Sequence, residues 1–324
     1  MRIETVSIIG LGALGILFGN HLAGQMPAEN LRIIADRERI ARYTREGIFC
    51  NGQPCHFHYV TPEEQGPPAN LIIFAVKYGG LNEAISAVRH QVGKHTVLLS
   101  LLNGISSEES IAAAYGTERV LFCVAQGMDA VKVGNQMTYA NMGMICFGDR
   151  QPGIISAQAQ AVADFFTAMQ LPHQLDTDMN RRMWGKLMLN VGVNQAVALL
   201  GSAYGDVQRE GPAREVMVAA MREVIALSQK ENVNLTENDL QYWLQVVSTL
   251  SPLGKPSMRQ DIEAGRASEL ELFAGTIIRL GEKHHLPTPV NQMLYDGIRS
   301  LENGFQPSAP DKESPSGSSA STDK

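Results

Sequence analysis

The stretch 3-IETVSIIGLGALG-15 decides the fold. It opens as an apolar, β-prone run, closes on glycines, and gives way to a helical pattern from about Ala13 to Ala23. A strand that stops at Gly10-Leu11-Gly12-Ala13-Leu14-Gly15 and opens a helix has the G-x-G-x-x-G arrangement of a dinucleotide-binding turn. The first glycine permits the tight turn, the second lets backbone approach a pyrophosphate, and the third lets helix pack on strand. The free N–H groups and positive end of the helix then meet the diphosphate. Glycine turns of this spacing are common in α/β proteins, so the strand before and the helix after carry the reading.

Outward from that turn, the front half alternates strands and helices. Strands are expected in 31-LRIIADRERI-40, where the run ends in charge, in 70-NLIIFAVK-77 and in 96-TVLLSLLNG-104, with a helix at about 80–92. Asn51-Gly52, between β-prone flanks in 48-IFCNGQPCHFHYV-60, predicts a hairpin turn. Further strands are expected at 120–127 and 137–148 with Gly134-Asn135 between them, then a helix at about 155–169 and a short strand near 171–176. This alternation predicts parallel βαβ units in a doubly wound sheet. After Asp178 long helical patterns take over, at 179–200, about 212–230, 236–249 and 257–283, then a turn at 287-PTP-289 and a last helix to Glu302. The fold class expected is therefore an α/β N-terminal domain over 1-177 followed by an all-α domain over 178-305. The remainder, 306-324, is rich in Pro and Ser and is expected to be disordered.

Composition narrows the function. The 324 residues are long enough for two domains with their own cores, and 44% hydrophobic with 19% charged residues is ordinary for a soluble enzyme. A net charge of −6 leaves no basic excess to meet the phosphates of nucleic acid, so an anionic small molecule needs a local cationic spot. The opening MRIETVSIIG has too short an apolar run for a secretory signal, and no uncharged apolar run is long enough for a membrane span. Cys50, Cys55, Cys123 and Cys146 have no C-x-x-C spacing, which predicts reduced thiols, a cytoplasmic protein and no metal site.

Three positions at strand ends bear on the cofactor. Strand two ends in Asp36-Arg37. An acid there accepts the ribose 2′-OH of NAD, whereas an arginine favours the 2′-phosphate of NADP, so the pair points both ways. Lys77 and Asn103 stand at the C-terminal ends of the next two strands, where ligands bind in open α/β sheets. A surface lysine and a turn asparagine are the plainer readings of those two.

The second unusual stretch is 184-WGKLMLNVGVNQAVALL-200, an apolar helix carrying Lys186, Asn190 and Asn194 at i, i+4 and i+8. Side chains four apart lie along one side of a helix, and a buried polar stripe needs a partner. No other charge occurs between Arg182 and Asp206. A lysine lying along the helix surface would be accompanied by further charges, and here two amides follow instead. If a nicotinamide delivers hydride to a ketone, a protonated lysine beside the oxygen supplies the proton, and the asparagines suit hydroxyl and carboxylate groups. Downstream, 257-SMRQDIEAGRASELE-271 holds several carboxylates that read mainly as a solvated helix face.

Taken in order, G-L-G-A-L-G, A-V-K, L-N-G, W-G-K-L-x-x-N-x-x-x-N and S-M-x-Q-D-I-x-A-G-R-x-x-E resemble the ketopantoate reductase family, the NADPH-dependent 2-dehydropantoate 2-reductases, from Arg2 to about Asn303. The resemblance implies a Rossmann domain plus a helical domain with the active site between them, commonly in a homodimer. It implies Lys186 as general acid, with Asn103, Asn190, Asn194, Ser257 and Glu269 binding substrate. The cofactor side would comprise Gly10 to Gly15, Arg37, Lys77, Asn103, Ala130 and Glu269. NADPH is the cofactor implied, NAD the alternative, and a small 2-oxo acid the substrate. Two positions depart from the pattern. Tyr204, in 201-GSAYGDV-207, stands where a further substrate asparagine is expected, and Asp36 adds negative charge where a 2′-phosphate would sit. A reductase of another 2-oxo acid or an imine, and a non-catalytic dinucleotide sensor, are the competing readings.

Overall fold

The computed structural model describes residues 2–304. The tail expected to be disordered, 306-324, lies outside them.

The front half comprises β1 (Val6–Ile9), α1 (Ala13–Ala23), β2 (Leu31–Ile34), α2 (Arg37–Glu46), β3 (Phe49–Cys50), β4 (Gln53–Pro54), β5 (His58–Val60), β6 (Leu71–Phe74), α3 (Leu81–Ala87), β7 (Val97–Ser100) and α4 (Ser107–Tyr115). There follow β8 (Phe122–Gln126), β9 (Val131–Val133), β10 (Gln136–Thr138), β11 (Met144–Gly148), α5 (Ala157–Ala168) and β12 (His173–Leu175). Five strands form a parallel sheet in the order β5-β2-β1-β6-β7, with Val6 opposite both Leu31 and Leu71. Successive side chains of a strand point to opposite faces. Ile8, Ile33, Ile73 and Leu99 accordingly enter the core shared with α1, while Ile9, Ile34, Ile72 and Leu98 enter a second core against α3 and α4. Burial on both faces explains why these strands read as continuous apolar runs rather than alternating ones.

A smaller sheet, β12-β11-β8, carries the end of the front half, and the Leu98–Val120 bridge ties it to the main sheet. The expected Asn51-Gly52 hairpin joins β3 to β4, with both turn residues at positive φ. In the front half, two expected strands differ from the structure. The run 31–40 is not one strand: β2 stops at Ile34, and the Asp36 carboxylate accepts the Arg39 N–H to begin α2. The run 137–148 is two strands, because the Asp129 carboxylate draws the N–H groups of Ala140 and Asn141 out of the ladder.

The back half is helical: α6 (Met179–Leu189), a π-helical segment (Asn190–Asn194), α7 (Gln195–Leu199), α8 (Tyr204–Gln208), α9 (Pro212–Lys230), α10 (Glu237–Ser248), α11 (Ser257–Glu263), α12 (Ala274–His284) and α13 (Pro289–Asn303). The long helix α9 runs through the middle and buries Met217, Met221 and Val224 against the others. The expected helix over 257–283 is broken: α11 ends at Glu263, and a single 3-10 turn over Leu270–Leu272 precedes α12. Among the described residues no helix is long and apolar enough to cross a membrane.

Candidate active site

Strand order reverses between β1 and β6, and there the chain opens a cleft of about 460 Å³. Its walls are the C-terminal ends of β1, β2, β6 and β7, faced by residues of α11 and the turn after it. Gly10, Leu11, Gly12, Ala13 and Leu14 form its floor. Gly10 adopts φ 98°, and a Cβ there would sit 2.7 Å from the Ala75 carbonyl oxygen. A Cβ on Gly15 would overlap the Gly10 carbonyl oxygen, so glycine at 15 lets α1 seat on the turn, and its own residue lies behind the floor. A Cβ on Gly12 would meet the Ala75 carbonyl at 3.5 Å and nothing else close, so glycine there keeps the floor bare. No acidic side chain stands in the first turn of α1. A bare floor of backbone at a helix start fits a diphosphate.

The other site residues divide between this cleft and the helix beside it. Lys77, Asn103, Ser257 and Glu269 line the cleft. Arg37 and Ala130 do not: Arg37 is exposed at the start of α2, and Ala130 packs against the front core between β8 and β9. Arg39, one helical position pair beyond Arg37, lines the cleft with Asp36 and Glu83. Lys186, Asn190 and Asn194 stand off the cleft, on α6 and the π segment, and Lys186 connects to it through Asn103.

That connection is a chain of three polar groups. Lys186 Nζ donates to Asn103 Oδ1 at 2.9 Å and to the Ala125 carbonyl at 2.6 Å, while Asn103 Nδ2 donates to Glu269 Oε2 at 2.8 Å. Burial pushes the Lys186 ammonium below its ordinary pKa, and Glu269 opposes that shift. Behind it the Glu108 carboxyl, buried in the first turn of α4, is pushed up to about 7 by desolvation, with Ser107 Oγ donating to it at 2.9 Å. Asn190 and Asn194 are both buried, and Asn190 Nδ2 has no hydrogen-bond partner in the protein. A buried amide N–H without a partner is uncommon in folded chains and fits a site that takes a polar ligand.

A second link crosses the cleft. Lys77 Nζ lies 3.0 Å from Asp261 Oδ2 on α11, and Arg266 Nε lies 2.9 Å from Asp261 Oδ1. Asp261, which the sequence pattern groups with solvated carboxylates, is buried; its neighbours Met258 and Ile262 on the inward side of α11 are the signal for that. Glu83 and Arg39 had no signal in the sequence, because their position depends on α2 and α3 meeting at the cleft mouth. Tyr204 begins α8, and its half-buried ring lies against Gly254, away from the cleft lining. Among the described residues no three His, Cys, Asp or Glu side chains converge as a metal site.

Comparison with known proteins matches residues 6–152 to the model described as "Ketopantoate reductase PanE/ApbA" and residues 178–302 to its C-terminal partner. This chain belongs to the ketopantoate reductase family. As an oxidoreductase of that family, it is 27% identical over 309 residues to the 2-dehydropantoate 2-reductase of Archaeoglobus fulgidus, covering 94% of this chain and 100% of that one. It is 25% identical to the enzyme of the same name from Vibrio cholerae over 237 residues, 73% of this chain and 79% of that one. Among solved structures, D-mandelate dehydrogenase with NADH and anilino(oxo)acetate superposes with a TM-score of 0.82 at 21% identity, covering 93% of this chain and 99% of that one. Membership in the ketopantoate reductase family agrees with the doubly wound front half and helical back half described above.

Proposed function

We propose that this protein reduces a 2-oxo acid, with ketopantoate as the leading substrate, and that Lys186 supplies the proton. The observation that carries the reading is the Lys186–Asn103–Glu269 chain, which brings a half-buried ammonium to the edge of a glycine-floored cleft. A nicotinamide dinucleotide supplies the hydride when bound in that cleft. Gly10 to Leu14 would hold its diphosphate through backbone, and Lys77 stands nearby as a cation whose half-exposed pairing with Asp261 is weak enough to exchange.

Reduction turns a carbonyl oxygen into an alkoxide, and the charge must be neutralised where it forms. Lys186 holds a proton at Nζ, with two of its three donor positions used by Asn103 and Ala125. The third is free for substrate oxygen. Asn190 Nδ2, without a protein partner, is assigned to a substrate hydroxyl or carboxylate together with Asn194. In this reading 1-177 is the cofactor half, 178-305 the substrate half, and the working form a cytoplasmic homodimer.

The likeness to D-mandelate dehydrogenase and the position of Tyr204 favour a second reading, in which the same chemistry serves another 2-oxo acid. Initial rates of dinucleotide oxidation with ketopantoate and a panel of 2-oxo acids separate the two. Lys186→Ala is expected to lower kcat for the preferred acid by ~10²–10⁴-fold while cofactor affinity is kept. An unchanged kcat would remove Lys186 from the chemistry.

A further inference from the structure

NADH and NADPH differ at one place, the adenosine ribose, where one presents a 2′-hydroxyl and the other a phosphate. In parallel sheets of this order that ribose is read by the residue at the end of the second strand. Here that residue is Asp36, two positions past the end of β2 at Ile34, and it lines the cleft. Its position is fixed: Oδ1 accepts the Arg39 N–H at 2.7 Å as the cap of α2, and Oδ2 lies 3.3 Å from Arg39 Nε. Arg39 is in turn 3.3 Å from Glu83 Oε1 on α3.

From this geometry, and resting on the dinucleotide reading above, we infer that the protein selects NADH over NADPH and that Asp36 makes the choice. Three charged side chains meet at this end of the cleft, two carboxylates and one guanidinium, leaving one negative charge in excess. A 2′-phosphate carrying roughly −1.5 to −2 would add like charge beside Asp36. The cation that pairs with Asp36, Arg39, is already shared by two carboxylates. Arg37, the arginine that would favour the phosphate, is exposed and outside the cleft lining. A 2′-hydroxyl, by contrast, can donate to a carboxylate that keeps unused acceptor capacity.

The test is isothermal titration of the full chain with NADH and with NADPH, no oxo acid being needed. The native protein is expected to bind NADH at least about tenfold more tightly, a difference of about 1.4 kcal/mol. Asp36→Asn keeps an oxygen able to cap α2 while removing the charge, and should bring the two affinities to within about threefold, chiefly by tightening NADPH. Glu83→Gln lies off the cap and should shift the ratio the same way, so a folding defect in the first variant does not end the test. NADPH binding as tightly as NADH in the native protein, or a ratio that neither substitution moves, overturns the inference and leaves the reductase reading intact. Failure of both nucleotides to bind overturns both.

Discussion

As the proposed acid, Lys186 would have to keep its proton until substrate oxygen needs it, and its surroundings pull in two directions. Desolvation lowers its pKa, and the Glu269 carboxylate, reached through the Asn103 amide, raises it. An acid works only while protonated, so kcat should fall as pH rises through this pKa, at a lower pH than free lysine would give. Glu269→Gln keeps an oxygen for Asn103 Nδ2 but removes the charge that holds the proton on. The alkaline limb of the kcat profile is therefore expected to move to lower pH in this variant. A limb that stays in place would show that Glu269 binds ligand without tuning the acid. Asn103 has both ends of its amide committed, the oxygen to a cation and the nitrogen to an anion, which fixes its orientation without help from packing.

Among the elements, the π segment does the most for the site. An α-helix drifts its i, i+4 rows by about 40° per step, so a stripe eight residues long would turn away from its target. A π turn closes i→i+5 and under-winds the chain, which runs the drift backwards over Asn190–Asn194 and keeps both amides on the inward side. At Gly192, in the middle of the π segment, α9 packs close: a Cβ would lie 2.5 Å from Met221 Cγ and 3.0 Å from the Met217 carbonyl oxygen. Gly192→Ala should therefore destabilise the fold by about 1–3 kcal/mol, read as a lower denaturant midpoint, and raise KM for the oxo acid by displacing the amides. A neutral effect on both would mean that α9 yields freely.

Legibility in the sequence follows the same division. The β1–α1 unit was plain, to the residues Ala13 and Ala23, because strand, glycine turn and helix are all local signals. Helix α2 is hard to read because its inward side is only Ile40 and Tyr43, both half-buried, among many charges; the Asp36 cap starts it. The break after α11 was missed for the opposite reason: apolar spacing continues through Leu270 and Leu272, while the chain actually folds back there. That fold places Glu269 within reach of Asn103, a contact across 166 residues that no periodicity contains. The stripe was visible because its residues were out of character with their neighbours, but its route to the cleft through Asn103 belongs to tertiary structure.

In the whole molecule, the groups proposed to read the far end of the dinucleotide lie in the front half of the chain, and those proposed for the oxo acid lie, Asn103 apart, in the back half. Asp36, Arg39 and Glu83 all precede Lys186, Asn190, Asn194 and Ser257, and Arg39 pairs with both carboxylates of that acidic corner. On this reading the two preferences should be inherited separately. A recombinant joining residues 1–177 of this chain to the back half of a relative should carry this chain's nucleotide preference and the relative's taste in acids, checked by binding for the first and kcat/KM for the second. Co-inheritance of both with one parent would contradict it. A lineage with such a seam can exchange its source of reducing power by altering one corner of one half, without relearning its substrate.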